Sequence, residues 1–471
     1  MEKSRLLTIF NTFSKKELRD LRKWLLSPAH NQREDVVQLF EYLVENTDSA
    51  NPESVHRELI FQTLFPGETF DDARLRQTAH FLLKSIEEFF IYQELRSDEV
   101  RSLTALARVY RKRNLDKPFQ AAMTAARNAH QNHPYRNERF QRDEFLIQLE
   151  EYAFVESKKR TVKMNLQEVV NALDVTYLSD KLRYSCMVLA HQTVYKTDYE
   201  IGMLREVLDY VEKSNFFDVP AIAVYYFGYK TNVEKENPEH YQMLKKYILQ
   251  YEQFFPPSEL RDIYLLAINY CINRLNAGKS EFGRETFEMY KKGLENAVLF
   301  ENNLLSRFTF MNVATLGLQL KEFNWVEKFI VRFKDHLEEK VRDNIVHFST
   351  ANLAFEKKDY TTAMQLLTQV EFDDILMNLN SKRMLLKMFY EENELDALES
   401  LLESLRNYIQ RKKVMGYHKA NFTNLIRLTK KLIKVNPYNK NTLGTLKAEI
   451  QEAKPLAAAE KNWLLEQLEN I

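Results

Sequence analysis

Glycine is nearly missing from this chain, with 9 in 471 residues, where average usage would give roughly 33. Phosphate-binding loops, tight β-hairpins and many-stranded sheets all consume glycine, so none of these is expected. No G-x-G-x-x-G, G-x-x-x-x-G-K-[ST] or G-x-S-x-G occurs, which removes the usual dinucleotide, P-loop and nucleophile-elbow signatures. Proline is sparse too, at 11. There are two cysteines, Cys186 and Cys271, and neither sits in a motif. Two cannot frame a disulfide scaffold of this size, so a reducing compartment is expected. No C-x-x-C or H-E-x-x-H is present to hold zinc. Net charge is zero, so no global field draws the chain to nucleic acid or membrane. The apolar start "LLTIF" is broken by Asn11. It is too short for a signal core, and no small-residue cleavage site follows. No stretch approaches 18 uncharged apolar residues, the length a membrane span requires. The expectation is a soluble cytoplasmic protein.

What is abundant is apolar residues, at 45%, together with Leu, Lys, Glu, Asn, Gln, Arg and Ala. That composition predicts an all-α fold with an extensive core. Length alone suggests about three domains, but a repeat array would merge such units into one body.

The stretch "AFEKKDYTTAMQLL" (354–367) reads as one helix, a short polar turn and a second helix. Phe348, Ala351 and Phe355 fall at helical spacing before the turn, and Ala363, Leu366, Leu367 and Val370 after it. Asp359 suits the cap of the second helix, and Tyr360 is placed to fill the elbow. The same device ends at Tyr199, Tyr241, Phe282, Phe323, Tyr360 and Leu395, at spacings of 42, 41, 41, 37 and 35 residues. "RNL" ends at Leu115, 84 residues before Tyr199, so a further unit is expected to turn near "ESKKR" (156–160). A period of this kind predicts stacked helical hairpins.

The segment "HFSTANLAFEKKDYTTAMQLLTQV" (347–370) resembles a tetratricopeptide-type repeat. Ala351, Phe355, Asp359, Tyr360, Ala363, Leu367 and Val370 stand where that superfamily places its packing residues. Around Phe323 and Leu395 the match is looser: Gly317 and Phe333 fit, while Val326 and Leu398 replace the usual small residue. The earlier units match only in rhythm, and "FFPPSEL" (254–260) is the main place with the closing proline. The resemblance implies a right-handed superhelical solenoid of about seven or eight hairpins with a concave groove, and it names no ligand.

Residues 1–98 carry no elbow and predict a separate N-terminal helical domain. It begins with a capping box, Ser14 to Glu17, then the helix "EDVVQLFEYLVEN" and the long helix "ARLRQTAHFLLKSIEEFFIYQEL". Residues 99–410 form the expected hairpin array. Residues 411–471 are basic helices closed by a capping helix, "PLAAAEKNWLLEQLENI" (455–471), anchored by Trp463; a solenoid end needs such a seal. Some tetratricopeptide-type regulators carry a DNA-reading head. Here residues 1–95 hold 12 Lys/Arg against 16 Asp/Glu, a sign opposed to phosphate binding, and no helix-turn-helix is evident.

Few residues suggest chemistry. His130 and His133 have the i, i+3 spacing of a metal pair, with Glu138 near in sequence, but polar histidines at a helix end before a proline turn are common. Asp71–Asp72 and Asp373–Asp374 are adjacent and so point apart on a helix; the first pair reads as an acidic helix start. Cys186 lies in an apolar helix, not in the basic, exposed setting of a reactive thiol. No catalytic residue, metal or cofactor is therefore called.

One run stands out. Residues 406–447 hold 11 Lys or Arg and no acid. Leu425, Leu428, Leu432 and Val435 make an apolar stripe. Arg427, Lys430, Lys431 and Lys434 share the polar side, after Lys412 and Lys413, with Tyr408, Tyr417, His418 and Phe422 interleaved. Such a face suits nucleic acid, an acidic protein segment or anionic lipid. It equally suits neutralisation by the acidic helix "EENELDALESLLE" (391–403). In the concave groove, lined by first helices, Asn312, Thr315, Asn352 and Phe355 are the candidates to hold a peptide or helix. The expected function is a non-enzymatic protein-interaction scaffold or adaptor with a protein or peptide partner. The alternative is a nucleic-acid-associated repeat protein using the 406–447 face.

Overall fold

The computed structural model of the chain describes residues 4–46, 56–158, 163–195, 197–368, 375–411 and 416–470. Among them the fold is all-helical, with twenty-three α-helices and one two-stranded hairpin. No described helix is long and apolar enough to cross a membrane. The chain divides into two compact units, residues 1–185 with 201–222 and residues 186–200 with 223–471.

The first unit opens with α1 (Arg5–Phe10), α2 (Lys15–Leu26), α3 (Glu34–Asn46), α4 (Arg57–Leu64) and α5 (Asp72–Ser97). The capping box predicted at the start of α2 is present, with Ser14 and Glu17 satisfying each other's free amides. Asp71 caps α5 by accepting from the amides of Ala73 and Arg74, the role expected of an acid beside a helix start. Leu21, Leu25, Leu39, Phe40, Ile60, Phe61, Leu82 and Ile86 meet in one fully buried core. Then follow α6 (Glu99–Lys112), α7 (Asp116–Gln131), α8 (Glu138–Lys158), the long α9 (Leu166–Tyr195, as far as Ser185) and α10 (Leu204–Ser214). An ion-pair ladder runs through them. Arg139 reaches Asp98 at 2.7 Å, Arg101 reaches Asp143 at 3.3 Å, and Arg108 and Arg111 grip the buried Glu150 at 3.0 and 2.6 Å.

The second unit contains α11 (Pro220–Val233, from Ala223 on), α12 (Pro238–Tyr251), α13 (Pro257–Asn276) and α14 (Glu281–Glu295). The hairpin β1 (Phe300–Glu301) and β2 (Leu304–Leu305) follows, then α15 (Arg307–Gln319), α16 (Phe323–Phe333), α17 (Glu339–Glu356) and α18 (Tyr360–Thr368). The unit ends with α19 (Ile375–Glu391), α20 (Leu395–Arg411), α21 (Gly416–Lys434), α22 (Lys440–Glu452) and α23 (Ala458–Glu469). Leu379, Leu398, Leu402, Leu425, Leu428 and Ile450 form the core of these last helices, with Trp463, Leu464 and Leu468 of α23 packed into it.

One backbone device closes five of the hairpins. Asn114, Gly278, Lys321, Lys358 and Asn393 all have left-handed φ, between 57° and 89°. Each donates its amide to the carbonyl three residues back, and the next residue donates to the carbonyl five back, as in Lys358→Phe355 at 2.9 Å and Asp359→Ala354 at 2.9 Å. These paired bonds satisfy carbonyls that a helix end leaves free and reverse the chain at once. The elbows at Leu115, Phe282, Phe323, Tyr360 and Leu395 follow these turns. Tyr199 differs: it lies in a non-helical stretch ahead of α10, its hydroxyl bonded to His191 at 3.0 Å. Tyr241 sits one turn inside α12, which starts on Asn237 as cap and Pro238.

Side-chain bonds repeat the period. Arg142–Asp180, Arg183–Glu138, Tyr225–Glu259, Lys245–Glu285 and Arg284–Glu322 join residues 34 to 45 apart. Within each unit, stretches about one period apart are thus tied together. Gly317 on α15 faces Val326 on α16, and one period later Ala354 and Ala363 stand at the same places. The valine that departs from the small-residue pattern is accommodated by a glycine opposite it.

Candidate functional site

The left-handed turns at Lys321, Lys358 and Asn393 set a common register for α15, α17 and α19. Thr315, Asn352 and Lys387 are equivalent, as are Leu318, Phe355 and Tyr390, and Gln319, Glu356 and Glu391. Helices α15 and α17 pack on each other, so the candidate groove residues share neighbouring helices. Asn312 is exposed, while Thr315, Asn352 and Phe355 are half-buried. The Phe355 ring stacks on Tyr360 with centroids 5.8 Å apart.

At the third place in this register a polar cluster gathers around α23. Arg383 pairs with the buried Glu460 at 2.9 Å. The Trp463 indole donates to Glu391 at 2.8 Å, and the Tyr360 hydroxyl donates to the other oxygen of that carboxylate. The Lys387 ammonium stands 5.4 Å from the Trp463 ring centre. Burial lowers the Lys387 pKa, opposed by the Glu460 charge. Sequence patterning identified Trp463 as an anchor. It missed Arg383, Lys387, Glu391 and Glu460, because partners 72 and 77 residues apart leave no local pattern.

The basic face is largely paired. Arg427 and Lys431 both bond Glu449 of α22, the latter at 2.7 Å, and Lys430 reaches Glu403 of α20 at 3.4 Å. Lys434 forms no ion pair among the described residues, and Lys412 and Lys413 lie outside them. Phe422 is buried in the core, so its ring offers no face for stacking on bases, and the half-buried Tyr408 packs against that core. The side chain of Tyr417, and Asp373–Asp374, also lie outside the described residues.

His130 is buried, with Nε2 bonded to the Phe140 carbonyl at 3.0 Å and Nδ1 3.4 Å from Glu144. His133 Nδ1 accepts from the Tyr135 amide at 3.2 Å. Among the described residues no three His, Cys, Asp or Glu side chains converge as a metal site requires. Cys186 is buried and its thiol lies 3.3 Å from the Tyr225 carbonyl. Burial pushes the thiol pKa of Cys186 up, and that of Cys271 to about 12, so both are thiols at neutral pH.

Composition gave no hint of a cleft of about 850 Å³ beside the β-hairpin, lined by Arg261, Leu265, Glu301, Leu304, Arg307 and Phe308 among others. Arg261 pairs with Glu301 at 2.5 Å. Its lining holds neither histidine nor cysteine, and its groups make no nucleophile–base pair. The signal for it was local: "FENNLL" puts two asparagines between Phe300–Glu301 and Leu304–Leu305, and both have positive φ, the requirement of the tight hairpin turn. No protein-family model, curated protein or solved structure matches the chain.

Proposed function

We propose that the chain is a non-enzymatic interaction scaffold of the cytoplasm. In this reading the hairpins form a tetratricopeptide-like, right-handed superhelical solenoid. Residues 1–98 make an N-terminal helical domain and α23 seals the other end. The groove along α15 and α17 holds a peptide or helix through Asn312, Thr315, Asn352 and Phe355.

The observation that carries it is the one-period bonding. Within each unit, side chains tie stretches 34 to 45 residues apart, as expected of solenoids, which gain stability from neighbours alone. The exposed amide of Asn312, the half-buried amide of Asn352 and the half-buried ring of Phe355 on neighbouring first helices suit peptide recognition. The nucleic-acid reading has less support, since Glu449 and Glu403 already engage Arg427, Lys430 and Lys431, three of the five Lys and Arg residues on α21.

The test is to isolate a partner on the full chain, purify it, and measure its affinity for Asn352→Ala and Phe355→Ala proteins. A loss of about tenfold or more at either position supports the groove, as expected of contacts near an interface centre. Unchanged affinity in both folded variants overturns it.

A further inference from the structure

Helices α17 and α19 both end on an acid. Glu356 and Glu391 are their last residues, and the turns at Lys358 and Asn393 place them in the same register. A carboxylate at a helix C-terminus opposes the helix dipole. Such a local conflict points to a use elsewhere. At Glu391 the use is visible. One oxygen accepts from the Trp463 indole at 2.8 Å and the other from the Tyr360 hydroxyl. The indole ring stands edge-on to Tyr390, with centroids 5.5 Å apart and planes at 78°. Helix α23 is thus held on the end of α19 by one tryptophan, with Glu460 a turn earlier on Arg383.

The end of α17 repeats this arrangement without a ligand from the described chain. Phe355 stands where α19 has Tyr390, and Asn352 where it has Lys387. Glu356 is exposed, and it makes no hydrogen bond or ion pair among the described residues. Surrounding protein nevertheless displaces enough of its hydration to raise the carboxyl pKa, against the opposing charges of Lys387 and Arg383. The place offers an acceptor, a half-buried ring and an amide, next to a helix already seated on the equivalent face.

We propose that Asn352, Phe355 and Glu356 receive a helix of a partner protein, anchored by a tryptophan whose indole N–H donates to Glu356. This rests on the scaffold reading and names the partner's chemistry. An ionised carboxylate only accepts hydrogen bonds, so the anchor is a donor. Lys387 and Arg383 nearby repel a lysine or arginine, whereas an indole donates without charge. Helices pack side by side at roughly 8–10 Å, the spacing that such a helix beside α23 would take.

The probe is a fluorescein-labelled peptide of residues 455–470, titrated into the full chain with its own α23 in place. Saturable binding is expected. Replacing the peptide's tryptophan by phenylalanine, or Glu356→Ala in the protein, weakens binding by about tenfold or more. The two changes together lose little beyond either one, because they remove the same bond. Glu356→Ala removes only an exposed carboxylate, so it stays informative if Phe355→Ala fails to fold. Absence of saturable binding overturns the proposal. So does binding that falls with Glu391→Ala and not with Glu356→Ala, since the peptide would then be exchanging with α23. If the peptide fails while a purified partner still depends on Asn352 or Phe355, the scaffold reading stands and the tryptophan-anchored helix does not.

Discussion

A Cβ added at Gly317 would stand 2.5 Å from Cγ2 of Val326 and 3.1 Å from the Phe287 ring. The glycine is what allows α15 and α16 to close on each other. Gly317→Ala is therefore expected to destabilise the protein by about 1–3 kcal/mol, and Val326→Ala in the same chain should recover part of the loss. Gly444, inside α22, has nothing within 4 Å of an added Cβ. Gly444→Ala should stabilise by about 0.5–1 kcal/mol. Denaturant unfolding of the variants checks both signs.

Lys321 and Lys358 hold left-handed backbone at φ 60° and 62°. A side chain in that region costs about 1–2 kcal/mol, which glycine does not incur. Lys321→Gly is expected to raise the stability of the second unit by up to about 1 kcal/mol, less than the full difference because glycine also frees the unfolded chain. Lys358→Gly should gain less, since it also loses the exposed Glu391 contact at 3.9 Å. Thermal unfolding with retained helical circular dichroism reads the effect.

Acid should act through the ladder of the first unit. Burial alone would raise the Asp98 carboxyl pKa, but the Arg101 amide and the Arg139 guanidinium more than offset it and hold it below the usual range. The folded state therefore binds this proton less readily than the unfolded one. Its contribution is complete above the unfolded value of about 3.9 and is lost as pH falls through the lower folded value. Asp143 goes the other way: burial, then the Asp98 charge, raise its carboxyl, so its ionisation opposes folding at neutral pH. Asp98→Asn should lower the Tm at neutral pH by more than Asp143→Asn does. The gap between Asp98→Asn and the parent should narrow as pH drops below about 4. Calorimetric melts across that range test it.

The basic face gives a prediction about salt. With Arg427 and Lys431 engaged on Glu449, a single-stranded oligonucleotide should bind weakly at low ionic strength. Glu449→Ala frees two cations, so the slope of log affinity against log salt should steepen by up to about 1.4, at about 0.7 for each phosphate neutralised. Strong binding by the parent chain that ignores this substitution would place the contact elsewhere.

Much of the helical layout could be read from the sequence, because its signals are local. The Ser14–Glu17 box, the acidic start at Asp71 and the burial of Trp463 each depend on a few neighbouring residues. The elbow at Tyr360 was legible for the same reason, although its decisive element is the left-handed Lys358, which no residue preference announces. Tyr199 carried the right pattern and, among the described residues, lacks the turn, since side-chain order alone does not fix backbone handedness. Phe422, grouped with the basic run, is instead core. Its immediate neighbours on α21 are polar, Asn421 and Thr423, and only its packing in the core of the last helices shows which way it points. The cluster of Arg383, Glu391 and Glu460 depends on contacts some seventy residues apart, beyond any windowed pattern.

The bonds between Arg142 and Asp180, Lys245 and Glu285, and Arg284 and Glu322 join residues 38 to 40 apart within a unit. A lineage that deletes or duplicates one whole stretch would bring a similar seam together again, cation against acid. On the proposed solenoid reading, the number of hairpins can drift between descendants while such joins are kept.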